Sequence, residues 1–262
     1  MAEHPFTIVH IPHSSIEIPA DLLPDYLISG EELDLELLRM TDHYTDELFD
    51  VRTSKAVTVR FPVSRLVVDP ERFSDDAQEI MAQRGMGAVY TRSSDLKTLR
   101  VADEGKRQQL LERYYHPHHR RLNALADKCL QETGKCLIID CHSFPSVPLP
   151  YELDQSLDRP DISIGTDPFH TPDWLKEFGA EIFGENGFAV TLDRPFSGSL
   201  VPSDFYLHDK RVVSIMIEIR RDLYMDEPAG SRLDTFQFTR DVLQGIIMSI
   251  IIRSRDSTVN TL

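Results

Sequence analysis

Short β-branched runs with little polar alternation are the feature that most narrows the fold of this chain. Phe6–Ile11, Ala56–Phe61, Leu66–Val68, Cys136–Asp140, Ile162–Ile164, Ala189–Leu192 and Val212–Ile219 read as strands bounded by turn residues. A strand that is apolar on both sides needs cover on both sides, which is the habit of buried, mostly parallel sheets. Helical stretches separate the runs. Ser29-Gly-Glu-Glu32 is a capping-box pattern opening a helix to about Asp50, and a second helix covers about Ala102 to Glu132 with Pro117 kinking or splitting it. Further helices are predicted over Asp173–Glu185 and Ser231–Arg253. Strands alternating with helices predict an α/β sheet flanked by helices on both faces. With no repeat, low-complexity block or composition break, residues 1–262 are taken as a single domain.

Composition narrows the function classes. A hydrophobic fraction of 41% is enough for a packed core. The net charge of −15, from 43 acidic and 28 basic residues, argues against a nucleic-acid partner, because phosphate binding needs a basic face. Cys129, Cys136 and Cys141 are odd in number and form no CxxC pair, which suits a reducing, cytoplasmic setting. No leader is read at the N-terminus, and the longest apolar run, Gly245–Ile252, is far below the ~18–20 residues of a membrane span. No membrane partner is therefore expected.

Polar, potentially ligating side chains fall at or just beyond the ends of the apolar runs, where open α/β sheets place their sites. His13 follows the first strand, and Asp140-Cys-His142 follows the run beginning at Cys136. Two histidines leaving buried strands converge on one metal, or else are hydrogen-bonded loop residues. Asp42 sits among leucines on the first helix, opposite the Leu33, Leu37, Met40, Tyr44, Leu48 stripe. It either pairs with a metal or cation or lies on a solvated face, and Asp46 reads as an acceptor orienting a neighbour. Glu218, near the end of an apolar strand, is a proton acceptor for an attacking water or half of a structural Glu–Arg pair. Arg65 and Arg72 flank Leu66–Val68 and suit anion clamping, as do Arg220 and Arg221, unless they pair with surface acids. Of the histidine-rich Tyr114–His119 segment, His119 is the one placed to reach a site.

The order of these pieces resembles the N-formylglutamate amidohydrolase (deformylase) family, related to the zinc carboxypeptidases and the succinylglutamate desuccinylase/aspartoacylase group. The pieces run from Pro12 to about Asp226. They are Pro12-His13-Ser14, Thr41-Asp42 with Asp46, Ser64-Arg65-Leu-Val-Val-Asp69 with Arg72, and Tyr115-His-Pro-His-His119. Asp140-Cys-His142-Ser143, Gly165-Thr166, Arg194-Pro-Phe-Ser-Gly198 and Glu218-Ile-Arg-Arg221-Asp-Leu-Tyr224-Met-Asp226 complete the set. The resemblance implies a phosphorylase/hydrolase-like, zinc carboxypeptidase-like mixed sheet with one Zn2+ per chain, held by His13, His142 and a carboxylate, Asp42. In the carboxypeptidase relatives that carboxylate lies three residues after the first histidine; here the position is Ile16, with Glu17 one residue beyond. Glu218 would be the catalytic base, and Arg65, Arg72, Arg220, Arg221 and His119 would contact substrate. The implied reaction is hydrolysis of a small anionic N-acyl amino acid, N-formyl-L-glutamate first among them, by a cytoplasmic enzyme that is a monomer or a homo-oligomer. The family reads Asp-Leu-Asn-Arg where this chain has Asp69-Pro-Glu71-Arg72. That change removes an amide donor and adds negative charge beside an anionic ligand. A desuccinylase- or peptidase-like hydrolase and a catalytically silent ligand-binding homologue are the alternative readings.

Overall fold

The computed structural model describes residues 6–256; residues 1–5, the start of the N-terminus read as lacking a leader, and residues 257–262 lie outside the described part. The alternation of strands and helices builds a six-stranded sheet in the order β2-β1-β3-β6-β4-β5. Its strands are β1 (Thr7–Ile11), β2 (Ala56–Arg60), β3 (Cys136–Phe144), β4 (Ile162–Gly165), β5 (Val190–Leu192) and β6 (Val212–Arg220). All neighbours are parallel except β4 and β6, which run antiparallel. The central strands run further than their apolar cores suggest. All nine residues of β3 are buried, so Asp140 and His142 lie inside the strand and not beyond it.

Leu66–Val68 is a correction. It is a tight turn, with the Val67 N–H on the Ser64 carbonyl at 2.9 Å. Its three side chains are fully buried, because Leu66 packs in a cluster with Tyr26, Met40 and Tyr90 while Val67 and Val68 pack with Phe61 and Ala88. A run of three apolar residues reports burial, and a turn lying under neighbouring loops satisfies that as well as a strand does.

Strand parity divides the sheet into two unlike faces. Val9, Ile11, Leu137, Ile139, Cys141, Ile215, Ile217 and Ile219 point to one face, under helices α5 (Asp173–Glu185) and α6 (Phe236–Asp256). That face is apolar at its centre. Ile8, Cys136, Ile138 and Val212 point to the other, under helix α4 (His116–Thr133) through Leu122, Ala126 and Cys129. Toward the C-terminal ends of the strands this second face changes character: the next residues in register are His10, Asp140, His142 and Glu218.

The helices differ from expectation at two informative places. Helix α1 (Gly30–Met40) opens on the expected capping box, the Ser29 N–H donating to Glu32 at 2.8 Å and Ser29 Oγ accepting from the Glu32 N–H at 3.2 Å. It stops at Met40, not Asp50. Thr41 is extended, and the Asp42 N–H leaves the helical pattern to donate to the His13 carbonyl at 3.0 Å. Thr45–Leu48 forms a separate turn, α2, so Asp42 sits in the break and on neither helix. The long helix splits as Pro117 predicts: α3 (Glu104–Leu110) joins α4 through a widened π-type turn at Leu111–Tyr115. A wider turn absorbs the backbone hydrogen bond that proline cannot make.

Two stability predictions follow from this packing. Gly165 ends β4 against the Gly198 carbonyl and the Met216 side chain, and a Cβ there would collide with both. A backbone carbonyl has little room to yield, so Gly165→Ala is expected to cost about 1–3 kcal/mol in urea unfolding. Glu36, buried on α1, accepts from the Ser94 N–H (2.5 Å) and hydroxyl (2.7 Å), yet burial holds its carboxyl above the ordinary range. A raised folded pKa means stability is highest below the unfolded value of about 4.3 and is lost as pH rises through the folded value. Glu36→Gln cannot ionise and should gain on wild type in urea midpoints between pH 4 and pH 8; a constant difference would refute this.

Candidate metal centre

Three segments far apart in sequence bring three ligating side chains together. His13 leaves the end of β1, Asp42 hangs in the α1–α2 break, and His142 points from β3 toward α4. All three are buried. His13 Nδ1 lies 3.2 Å from His142 Nδ1 and 3.5 Å from Asp42 Oδ2, and His142 Nδ1 lies 3.3 Å from that same oxygen. Donors bound about 2.0–2.1 Å from a tetrahedral zinc stand roughly 3.3–3.4 Å apart, so this triangle has the edge lengths such an ion requires. Asp42 Oδ2 has no hydrogen-bond partner, a costly state for a buried carboxylate oxygen unless a cation meets it.

The outward sides of these ligands face carboxylates. His13 Nε2 meets Asp69 Oδ1 at 2.8 Å, and His142 Nε2 lies 3.1 Å from Asp140 Oδ1. His13 is thus hydrogen-bonded to a carboxylate on its far nitrogen, which turns Nδ1 inward as a lone-pair donor, while His142 Nε2 only lies near the Asp140 carboxylate without a hydrogen bond. Asp69 is itself fixed by Arg65, at 2.8 Å and 3.2 Å, and by the Tyr90 hydroxyl. Burial disfavours the Asp69 anion, but Arg65 and His13 outweigh it and hold the carboxyl well below the usual range. Asp42 is likewise held low: burial opposes its charge, and the neighbouring His13 and His142 rings with the charge of Arg221 outweigh that.

Glu218 is the Cα partner of His142 across the β3–β6 ladder, so the two side chains leave the sheet side by side on the same face. Its carboxyl is pushed up to about 8, chiefly by burial, and its Oε2 has no hydrogen-bond partner. A carboxyl tuned near neutrality is suited to taking and returning a proton. Glu17 is exposed and stands outside the trio; the carboxylate that joins the two histidines is Asp42.

The other residues singled out in the sequence have varied surroundings. Arg221 lies on the turn after β6, with Nη2 on Asp42 Oδ1 at 3.0 Å, Nη1 on the Arg39 carbonyl at 2.6 Å and Nε on Ser143 Oγ at 3.1 Å. Its guanidinium is spent on orienting Asp42. Arg220 binds Asp222 (2.7 Å), Asp161 (3.0 Å) and the Arg159 carbonyl (2.7 Å), and no hydrogen bond ties it to the trio among the described residues. Arg65 serves Asp69, whereas Arg72 approaches Asp69 only to 3.8 Å and its buried Nε has no hydrogen-bond partner. His119 contacts the Pro70 carbonyl at 3.0 Å and packs on Tyr115, steadying the loop that carries Asp69. Asp46 faces Arg60 at 3.7 Å, away from the trio.

Sequence reasoning passed over Tyr90, His10 and His118. His10 Nδ1 contacts Asp140 Oδ1 at 3.0 Å and His10 Nε2 contacts His118 Nε2 at 2.8 Å, so a buried polar row backs His142. The signal was a histidine at an inward-facing strand position; Tyr90, in a loop with no periodicity, left none. Because Arg221 is the partner of a buried carboxylate, Arg221→Met should destabilise the metal-free protein by about 3–5 kcal/mol in denaturant unfolding. A loss under 1 kcal/mol would show that Asp42 finds its compensation elsewhere.

With this geometry in view, comparison with known proteins is informative. The family model for N-formylglutamate amidohydrolase matches residues 6–225. No curated protein matches the chain. Among solved structures, an N-formylglutamate amidohydrolase from Ralstonia eutropha JMP134 superposes with a TM-score of 0.82 at 22% identity, covering 97% of this chain and 95% of that one. A gene product of Agrobacterium tumefaciens superposes at 0.62 with 20% identity, covering 94% and 92%. At such identities the superpositions speak for the fold, the mixed α/β sheet with flanking helices. The family match spans most of the sequence, from β1 to beyond Glu218, and the chain belongs to the N-formylglutamate amidohydrolase family.

Proposed function

We propose that the protein is a zinc-dependent amidohydrolase cleaving the amide of a small anionic N-acyl amino acid, with N-formyl-L-glutamate, giving formate and L-glutamate, as its first substrate. The observation that carries this reading is the buried His13–Asp42–His142 triangle, with its orphaned Asp42 oxygen, beside Glu218 in a chain of this family. His13, Asp42 and His142 would hold the ion. A zinc ion at such a site supplies Lewis acidity toward the scissile carbonyl and makes water more acidic.

The remaining chemistry belongs to the chain's own residues. Glu218, whose carboxyl burial raises toward neutrality, would in its ionised form accept the proton of the attacking water and deliver it to the leaving amine nitrogen. Arg72 offers guanidinium donors that no acid has fully claimed and meets a substrate carboxylate. Arg65 and Arg221 orient Asp69 and Asp42, keeping the ligating nitrogens and oxygen aimed inward. His119 acts through the Pro70 carbonyl on the loop between Asp69 and Arg72, which places it behind the substrate-facing residues. The reading needs neither nucleic acid nor membrane, and no helix among the described residues is long and apolar enough to cross one.

Formate release from N-formyl-L-glutamate by zinc-loaded protein tests the proposal, with N-acetyl and N-succinyl amino acids alongside to identify the acyl group. Glu218→Gln should retain zinc and lose about 10²–10⁴-fold in kcat. A Glu218→Gln variant as active as wild type, or a wild type that binds no zinc, overturns the mechanism.

A further inference from the structure

Behind the trio, on the far side of His142, lies a second convergence of ligating atoms that the proposed reaction does not use. His10 Nδ1 from β1, Asp140 Oδ1 from β3 and Glu71 Oε1 from the Asp69–Arg72 loop all lie within 4.8 Å of one another. The nitrogen stands 3.0 Å from the Asp140 oxygen and 3.1 Å from the Glu71 oxygen. The His10 and Asp140 side chains are wholly buried, and that of Glu71 is 14% exposed. One ring nitrogen therefore faces two carboxylates in a region almost closed to water.

Electrostatics limits what can sit there. Two buried carboxylates facing a lone pair would repel both it and each other, so a cation must join them. A proton on Nδ1 satisfies one acceptor and leaves the group one negative charge in excess. The structure carries the mark of that shortfall: Glu71 Oε1 is buried with no hydrogen-bond partner, although the His10 nitrogen is close. A divalent ion balances both carboxylates at once and needs no linear hydrogen bond to either. The far side of His10 suits that arrangement, since Nε2 lies 2.8 Å from His118 Nε2, an acceptor that would fix the Nε2–H tautomer and leave Nδ1 as a donor. The remaining Asp140 oxygen is also engaged, by the Leu200 N–H at 3.1 Å.

We infer that His10, Glu71 and Asp140 form a second divalent-metal site, distinct from the His13–Asp42–His142 centre and joined to it through Asp140. Mixed imidazole and carboxylate ligands suit Zn2+ or Mn2+. The site lies behind His142, so its role is to hold Asp140, and through Asp140 the ring of His142, in place. Glu71 is the member that creates it: the other two donors amount to an ordinary His–Asp pair.

Metal-free full-length protein titrated with Zn2+, the bound ions counted by calorimetry and native mass spectrometry, tests the site independently of the proposed reaction. Wild type is expected to bind two equivalents, His13→Gln one, Glu71→Gln one and the double variant none. A metal equivalent that survives His13→Gln and disappears in the double variant supports the second site even if the protein hydrolyses nothing. Absence of any such equivalent overturns it. If the Glu71→Gln proteins fail to fold, the count on His13→Gln alone decides: one bound ion supports the site, and none refutes it.

Discussion

A carboxylate with no access to water, Asp140 in the middle of the central strand, is the constraint around which the candidate site is arranged. Its two oxygens are met by His10 from the neighbouring strand, by the His142 ring two residues along its own strand, and by the Leu200 N–H. Burial disfavours its charge, yet the imidazoles hold the carboxyl far below the ordinary range. Sheet register follows from this. A slip of one residue would carry Asp140 into the apolar cluster under α5 and α6, away from the imidazoles that compensate it. The polar half of one sheet face thus fixes strand pairing as firmly as the apolar face fixes packing.

The two faces explain how far the sequence could be read. Strands lacking polar alternation announced a sheet covered on both sides, and the covering clusters are those of α4 on one face and α5 with α6 on the other. His13, His142 and Glu218 were legible because each is a polar residue interrupting or ending an apolar run. Leu66–Val68 was misread for a related reason: short apolar runs encode burial and leave secondary structure open. The interruption at Thr41 was invisible, since no proline or glycine marks it. The helix yields there to a tertiary hydrogen bond from Asp42 to the His13 carbonyl. Helical periodicity therefore placed Asp42 on a helix face, whereas long-range contacts place it at the centre.

Supporting residues were the least legible part. Arg221 reads as a strand-end arginine ready for an anion, and only the folded chain shows its donors divided among Asp42, Ser143 and the Arg39 carbonyl. His118 and His119 are adjacent in the histidine-rich segment, of which only His119 reads from the sequence as reaching a site. The helix sends them different ways, His118 to His10 and His119 to the Pro70 carbonyl. Burial takes both far below the usual histidine range, to about 2 and about 4, so they serve as neutral hydrogen-bonding rings.

The scatter of the central residues along the chain has a consequence for synthesis. His13 is made before its partner Asp42, His142 follows much later, and the arginine that orients Asp42 stands at position 221. No nascent fragment ending before Arg221 contains the complete arrangement, and β6, which brings Glu218 beside His142, must be inserted between β3 and β4 before the sheet closes. Until Arg221 has been added, Asp42 lacks the guanidinium that orients it in the folded chain. A fully ordered centre is accordingly a signature of the whole sheet, and no early-emerging portion could acquire it alone.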